Sequence, residues 1–182
     1  MNIYEKKNIG DILAECAYPG RGIVTGLSEN GRYAAFAYFI MGRSGNSRNR
    51  VFRSDGETVT IYPFDESKVS DPSLIIYSPV RKVGNRLVVT NGDQTDTVCS
   101  FLERGSIYDG LSAGRSFSEA LESRCFEPDA PNFTPRISAM LDLGKDFSYR
   151  MSILKSADEN GSACCRFTYV FSAVPGLGHF IH

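Results

Sequence analysis

The chain has 182 residues and a mass of 20.1 kDa, of which 42% are hydrophobic and 23% charged; this suffices for one globular domain with a buried core. It carries 20 Lys and Arg against 21 Asp and Glu, which argues against a protein whose whole surface attracts nucleic acid or anionic lipid. The 12 Phe and 9 Tyr argue against disorder, and the longest apolar run, residues 34–41, is too short to span a bilayer.

The N-terminal half is predicted to form one short helix and then hairpins. Residues 9–17 fit about two helical turns. Residues 21–28 and 32–41 form a first hairpin, because Asn30-Gly31 supplies the positive φ of a tight turn. The return strand is apolar on both faces, which predicts cover on both sides and a layered fold. After a polar loop at 42–50, two further hairpins are predicted, pairing 51–54 with 58–62 and 74–83 with 86–90.

After residue 90 the hydrophobic period changes to that of helices. Asp96 is predicted to cap a helix over 97–104 that Gly105 ends, and Ser116 with Glu119 forms a capping box for a helix that reaches Arg124. Three prolines within 127–136 predict an ordered loop without regular structure. Strands are then expected at 136–143, 148–155 and 163–174, and a further strand begins in the final residues. The sum is an α+β layered domain.

The cysteines and histidines favour a reduced protein without a metal centre. The odd number and scattered spacing of the cysteines indicate free thiols in a cytoplasm: Cys16, Cys99, Cys125, Cys164 and Cys165. The two histidines both lie in the last four residues, so zinc catalysis and Ser-His chemistry are poorly supported. No signal peptide is evident near the N-terminus.

Three polar loops and one tyrosine are candidates for chemistry. Arg43, Arg48 and Arg50 share a loop with Gly and Ser, a combination that suits phosphate, although it is also typical of a solvated connection. The loop 91–97 enters a helix, and its aspartates favour hydroxyl or amide partners over phosphate; the alternative is a capping turn. The proline-rich loop 127–136 is either a preformed binding loop or a rigid crossover. Tyr77 lies in a predicted strand, where a tyrosine is usually part of the core.

Five short motifs follow one another between residues 18 and 140. They are YPGRG from Tyr18, RSGNSRNR from Arg43, IIYSPVRKVG around Tyr77, NGDQTDT from Asn91 and TPRISA from Thr134. In this order and at this spacing, the set resembles the archaeal-type IMP cyclohydrolase family. Each motif alone is weak, and the five in sequence are specific.

The resemblance implies a fold, a reaction and a set of partners. The fold would be a four-layer αββα sandwich like that of N-terminal nucleophile hydrolases. The reaction would be the last step of purine synthesis, in which formamidoimidazole carboxamide ribonucleotide closes its ring, loses water and becomes IMP. A purine nucleotide would be the small-molecule substrate, without metal, redox cofactor, nucleic acid or membrane, and a cytoplasmic homo-oligomer is expected.

The same resemblance assigns roles to particular residues. Tyr77 would donate to the formyl oxygen, Arg50 would meet the phosphate or the oxyanion, and Glu127 would act as base, with Asp129 as the other carboxylate in the same loop. The expected substrate-binding residues are Arg21, Arg43, Ser44, Asn49, Asn91, Gly92, Asp96, Thr134 and Arg136. Of these, Arg43 would share the phosphate or oxyanion with Arg50, Arg21 and Arg136 would orient the substrate, and Asn91 and Asp96 would hold the ribose or carboxamide.

The sequence also departs from the family pattern. Seventeen residues precede the YPGRG element. The loop 42–50, called the arginine loop below, is two residues longer than the family's shorter form. After residue 140 the match fades, whereas the family usually continues past a strand such as HFIH. We therefore expect a single domain over 1–182 that lacks a C-terminal part.

Two other classes of function remain open on the sequence. An amidohydrolase with a true N-terminal nucleophile would need Cys16 at the start of a processed chain, because that mechanism uses the freed α-amine as base. A non-catalytic purine nucleotide-binding protein would use the arginine loop for binding alone. RNA binding ranks last, since the aromatic residues have core spacing.

Overall fold

The computed structural model describes residues 6–69, 76–105 and 113–182. Within these ranges the helices are α1 (Ile9–Ala14), α2 (Gly45–Arg48), α3 (Gln94–Gly105) and α4 (Ala113–Glu122), with one 3₁₀ turn at Glu66–Lys68. The strands are β1 (Arg21–Leu27), β2 (Ala34–Ile40), β3 (Val51–Ser54), β4 (Thr58–Tyr62), β5 (Val80–Val83), β6 (Arg86–Thr90), β7 (Arg136–Asp142), β8 (Ser148–Ser156), β9 (Cys164–Ser172) and β10 (Gly178–Ile181). No helix in these ranges is long and apolar enough to cross a membrane.

The described strands form two antiparallel sheets. The larger has seven strands in the order β3-β4-β5-β6-β7-β8-β9, so each strand pairs with its neighbour in sequence. The smaller has three, in the order β10-β1-β2. Its β1–β2 hairpin turns at Gly31, whose φ of +69° is the left-handed conformation that glycine adopts without strain. The register pairs Arg21 with Ile40 and Ile23 with Tyr38.

The principal core lies between the two sheets. The small sheet contributes Ile23 and Ile181, and the large sheet contributes Ile137, Tyr149 and Met151, all at most 8% exposed. Alternate residues of each strand point to the same face, so the inward face of β1 carries Arg21 and Ile23 together. A strand whose interior is anchored in this core therefore presents Arg21 at the edge of the interlayer space.

The long helices pack on the outer side of the large sheet. Val98, Leu102 and Phe117 from α3 and α4 bury themselves against Val88 and Met140, which face away from the interlayer core. The described residues thus form an α+β fold with a helical layer, the seven-stranded sheet and the three-stranded sheet in succession.

Among the described residues, the return strand of the first hairpin lacks the cover on both sides that the sequence predicts. Residues 34–37 of β2 are exposed, and residues 38–40 are half-buried. The strand forms the edge of the small sheet, and helices α3 and α4 pack on the large sheet instead. The apolar run in β2 correctly predicted a layered fold, but it did not predict how much of the strand is covered.

Both long helices begin earlier than the sequence predicts. Helix α3 starts at Gln94, three residues before the expected first position, so Asp96 lies within its first turn instead of capping it. Helix α4 starts no later than Ala113, which places Ser116 inside the helix and excludes the predicted capping box with Glu119. Local capping patterns compete with each other, and contacts with distant parts of the chain decide the boundary.

The remaining elements follow the prediction closely. The hairpin β3–β4 has the expected bounds, and residues 127–135 form an ordered loop without helix or strand. The third hairpin is shorter than predicted: residues 74 and 75 lie outside the described ranges, and 76–79 are not in a strand. Pro79 lacks the N–H that a ladder position needs, and β5 begins only after it.

Candidate active site

A cleft of about 430 Å³ opens where the start of β1, the loop after β2 and the loop 127–135 meet. The first and third polar loops of the sequence, far apart along the chain, therefore line one cavity. Six of the predicted site residues line it: Arg21, Arg43, Ser44, Arg50, Asn91 and Thr134.

Arg21 and Glu127 form an ion pair at one wall of this cleft. Arg21 Nη1 lies 3.3 Å from Glu127 Oε1, and both side chains are largely buried, at 23% and 22% exposure. Burial raises the pKa of Glu127, while the positive charges of Arg21, Arg136 and Arg50 oppose that rise. The result is a carboxyl group that holds its proton more readily than an exposed glutamate and that lies beside Arg21 without lining the cleft itself.

Tyr77 does not line the cleft itself but lies near Arg50 and Arg21, which do, and its hydroxyl is 3.0 Å from that of Tyr38. Burial raises the pKa of Tyr77, and the hydrogen bond with Tyr38 and the guanidinium groups of Arg50 and Arg21 act in the opposite direction. The backbone carbonyl of Tyr77 accepts from Ile61 N at 2.9 Å. The tyrosine is therefore held at both its backbone and its hydroxyl, next to the charged groups of the site.

The arginine loop contains a tight turn with its own internal bonds. Ser44 N donates to Ser47 Oγ at 2.9 Å and Ser47 N donates to Ser44 Oγ at 3.1 Å, so these hydroxyls close the turn at α2. Arg48 Nε donates to the Gly42 carbonyl. Arg43 lies over the ring of Tyr18 at 5.8 Å and is exposed. Ser44 and Arg48 thus shape the loop, and the Arg43 guanidinium faces the opening.

Asn49 is placed differently from the other members of its motif. Its side-chain Nδ2 donates to the Asp65 carbonyl at 2.7 Å and its Oδ1 accepts from Asp65 N at 2.7 Å. The side chain is 9% exposed and does not line the cleft. This pair of bonds ties the arginine loop to the segment after β4.

Asn91 lines the cleft, but its polar atoms are bonded to the chain. Its Nδ2 donates to the Pro135 carbonyl at 3.0 Å, and its Oδ1 accepts from Ile137 N at 2.9 Å and from Gln94 Nε2 at 3.1 Å. A Cβ on Gly92 would lie 2.6 Å from Gln94 Oε1, so a side chain there would have to displace the Gln94 amide from its bonds. The NGDQ segment therefore fixes the end of β6 to the start of β7.

The two aspartates of the second loop pair with arginines. The Asp93 carboxylate contacts Arg124 and Arg136 together, and these hydrogen bonds and charges hold its pKa below the usual range although burial opposes them. Asp96 lies 2.7 Å from Arg81 Nη1 and does not line the cleft. Arg136 also donates to Gln94 Oε1 at 3.1 Å, so this arginine holds β7, α3 and the end of α4 together.

Asp129 organises the proline-rich loop. Its carboxylate accepts from Thr134 N at 2.7 Å and from Thr134 Oγ1 at 2.5 Å, and Glu127 N donates to the Thr134 carbonyl at 2.9 Å. Of the two candidate carboxylates of this loop, Asp129 therefore fixes the loop conformation, and Glu127 carries the ion pair with Arg21.

The structure also identifies residues that the sequence reasoning missed. Tyr38 contacts Tyr77, and Gln94 bridges Asn91 and Arg136. The hairpin register was a usable signal for Tyr38, since a turn at Asn30-Gly31 places Tyr38 opposite Ile23, on the same face as Arg21. Cys16, the residue required by the alternative amidohydrolase, is exposed and does not line the cleft.

Comparison with known proteins gives a consistent result. The protein family described as IMP cyclohydrolase-like protein matches residues 18–182. A protein of Methanococcus aeolicus named IMP cyclohydrolase is 30% identical over 126 residues, covering 69% of this chain and 58% of its own. Proteins with the same name from Methanococcus maripaludis and Methanopyrus kandleri are each 34% identical, over 133 and 129 residues. These matches cover 72% and 69% of this chain, and 61% and 59% of the relatives.

The matched part of this chain thus spans about 60% of the length of these curated relatives. The matching residues include β1, the arginine loop and the loops of the cleft.

Proposed function

The chain belongs to the IMP cyclohydrolase-like protein family, and from this we propose that it converts formamidoimidazole carboxamide ribonucleotide into IMP. The observation that carries the proposal is the cleft itself, which Arg21, Arg43 and Arg50 line together. The half-buried Glu127 pairs with Arg21, and the Tyr77 hydroxyl lies near Arg50 and Arg21. An arginine-rich cavity of this size suits a phosphorylated small molecule.

The reaction needs positioning more than new chemistry. The carboxamide nitrogen attacks the formyl carbon of the same molecule, its proton is removed, and the formyl oxygen becomes a hydroxyl that leaves as water. Since both reacting groups belong to one substrate, the protein chiefly fixes their rotation. It must also supply a donor to the developing oxyanion and groups that move the protons.

Residues in the cleft and next to it can divide this work: Arg21 and Arg50 line the cleft, and Tyr77 and Glu127 lie beside Arg21. Tyr77 would donate to the formyl oxygen, and Glu127, with its raised pKa, would take the proton from the attacking nitrogen and return one to the leaving hydroxyl. Arg21 would keep Glu127 oriented through their ion pair. General acid–base assistance of this kind contributes about 10²–10⁴-fold to the rate.

The arginine loop would hold the phosphate. Both Arg43 and Arg50 line the cleft. Arg43 is exposed, and Arg50 is half-buried. The bonds that Ser44, Asn49 and Asn91 make with the chain support roles for them in shaping the cleft, and Thr134 is held by Asp129 in the same way. Gly92, Asp96 and Arg136 would support the cleft without touching the substrate. Gly92 lies against Gln94, Asp96 pairs with Arg81, and Arg136 pairs with Asp93.

The test is conversion of the formyl substrate to IMP by purified full-length protein, followed by absorbance. We expect turnover by the wild type and a loss of at least 100-fold in kcat for Tyr77→Phe, with IMP affinity retained. No turnover by intact, folded protein would contradict the proposal. IMP binding without turnover, and no effect of Tyr77→Phe, would indicate a nucleotide-binding protein. Intact-mass measurement excludes the processed amidohydrolase if residues 1–15 are retained.

We also propose the four-layer αββα arrangement. The face of the small sheet that points away from the core carries no charged or polar side chain from Gly22 to Gly26, from Ala35 to Phe39, or at Gly178 and Phe180. Such a face is typical of a sheet covered by helices. In the described part of the chain a groove of about 450 Å³ lies along it.

A cytoplasmic location and a homo-oligomeric state belong to the same proposal. All five cysteines are free, which supports a reducing compartment. The edge strands β2 and β9 expose apolar side chains such as Phe36, Phe167 and Val170, which supports association between copies. Light scattering of the purified protein distinguishes an oligomer from a monomer.

A further inference from the structure

We propose that Tyr38 is a positioning residue for Tyr77, donating its hydroxyl proton to Tyr77 Oη so that the Tyr77 proton points to the substrate. The inference rests on the proposed ring closure and adds a second tyrosine to it. The two hydroxyl oxygens lie 3.0 Å apart, within hydrogen-bond distance, and either one can be the donor. The direction of this bond decides what Tyr77 can do.

When substrate is bound, both hydroxyl protons of the Tyr38–Tyr77 pair find an acceptor only if Tyr38 donates to Tyr77. A phenol hydroxyl has one proton to donate and lone pairs to accept with. In the described part of the chain, the only hydrogen bond that the Tyr38 hydroxyl makes is the one with Tyr77. If Tyr77 donated to Tyr38, the Tyr38 proton would lack an acceptor there and the substrate oxygen would lack a donor. With Tyr38 donating, the Tyr38 proton is bonded within the chain and the Tyr77 proton is bonded to the bound substrate, so the complex has no unpaired donor.

The fold holds Tyr38 firmly in this place. It lies on the inward face of β2, opposite Ile23, and packs against the interlayer core. Its ring meets Phe52 edge-on, with centroids 5.9 Å apart. A side chain held from several sides loses little further freedom when it directs a neighbouring hydroxyl, so the Tyr77 proton is aimed before substrate arrives.

The electrostatics agree with this direction. Burial and the neighbouring Tyr77 raise the pKa of Tyr38 well above the usual value, so Tyr38 keeps its proton. The hydrogen bond from Tyr38 lowers the pKa of Tyr77 against the effect of burial. Tyr77 is thus the better acid of the two and the better donor to a developing negative charge.

The first experiment compares Tyr38→Phe, Tyr77→Phe and the double variant in the ring-closure assay. We expect Tyr38→Phe to lower kcat about tenfold, the value of one hydrogen bond, with KM changed less than threefold. In the Tyr77→Phe background, Tyr38→Phe should have no further effect, because Tyr38 acts through Tyr77. An unchanged kcat in Tyr38→Phe, or a full second loss in the double variant, would overturn the inference.

The matched control is Tyr149→Phe. Tyr149 is another buried tyrosine of the interlayer core, and its hydroxyl bonds to His179 Nδ1 at 2.7 Å, away from the cleft. Tyr149→Phe removes one buried hydroxyl group and leaves the Tyr38–Tyr77 pair unchanged, so the kcat of this variant should stay within twofold of wild type. A loss equal to that of Tyr38→Phe would show a general effect of the core and count against a positioning role.

A second measurement does not depend on turnover. In protein labelled with ¹³C at tyrosine Cζ, the Tyr77 signal is assigned by its absence in Tyr77→Phe, and its pKa is read from a pH titration. Removing the Tyr38 hydroxyl should raise that pKa. An unchanged or lowered Tyr77 pKa would overturn the inference even if ring closure is confirmed. If the Tyr77 pKa rises in Tyr38→Phe but the wild type does not convert the substrate, the proposed function fails and the direction of the hydrogen bond stands.

Discussion

Glu127 is the residue whose charge state most directly governs the proposed chemistry. To take a proton from the attacking nitrogen it must be ionised, and burial raises its pKa. The acidic limb of the pH profile of kcat/KM should therefore lie above the pH at which an exposed glutamate titrates. Activity is lost as the pH falls through that pKa, because the carboxyl group gains its proton.

Glu127→Gln tests this assignment. The amide keeps the shape of the side chain but cannot exchange a proton, so we expect kcat to fall at least 100-fold and the acidic limb to disappear. Asp129→Asn is the comparison within the same loop: it weakens the bonds to Thr134 but should retain the limb. A limb that persists unchanged in Glu127→Gln would assign the base to another group.

The sequence predicts the type of residue at this site better than its task. Arg21, Arg43 and Arg50 were expected at the substrate, and all three line one cleft. Asn49 and Asn91 were expected there too, yet both amides bond to backbone groups of the chain. The sequence does not show whether an asparagine amide binds the backbone of a loop or binds a ligand. Only the three-dimensional positions of its hydrogen-bond partners distinguish the two roles.

At the scale of elements, the connections between segments carry the testable consequences. Asn49 links the arginine loop to the segment that follows β4 through two hydrogen bonds to Asp65. Asn49→Ala should lower the free energy of unfolding by about 2 kcal/mol, since it removes both bonds and leaves the partly buried backbone N–H and C=O of Asp65 unpaired. Chemical denaturation monitored by circular dichroism measures this.

Asn85→Ala is the matched control for that variant. Asn85 is exposed, with one side-chain bond of 3.2 Å to Asp142, and its loss should cost less than about 0.5 kcal/mol. If Asn49→Ala is equally mild but abolishes IMP binding, Asn49 contacts the ligand directly, as its motif suggested.

Element type was more predictable than element ends or cover. The Asn30-Gly31 and Asp55-Gly56 turns specify their hairpins because few residues accept positive φ. The start of α3 was missed because Asp93, which precedes it, turns its carboxylate to Arg124 and Arg136, contacts that come from distant parts of the chain. The exposure of β2 depends on which strand lies at the sheet edge, and no local pattern contains that information.

At the scale of the whole molecule, the proposed fourth layer can be tested on the outer face of β2. If helices cover that face in the full-length protein, Ala37→Asp would bury a carboxylate and cost more than about 2 kcal/mol of unfolding free energy. Ala34→Asp, on the opposite face of the same strand and exposed, should cost less than about 0.5 kcal/mol.

The measurement is repeated at two protein concentrations. A cost for Ala37→Asp that is independent of concentration supports cover by the same chain. A cost that appears only at high concentration means that a second copy covers the face, and equal small costs for both variants mean that the face is open to water. Either of these two results would contradict the four-layer arrangement.

The pairing of β10 with β1 also determines the order in which the molecule can assemble. Strands β3 to β9 each pair with the next strand in sequence, so the large sheet can grow by short loop closures as the chain is made. The small sheet instead joins residues 23–26 to residues 178–181, a closure across most of the chain, and such long-range contacts form slowly. The part of the cleft that His182 lines, directly after β10, is therefore completed last, and competence to bind a ligand should arise later than most of the secondary structure.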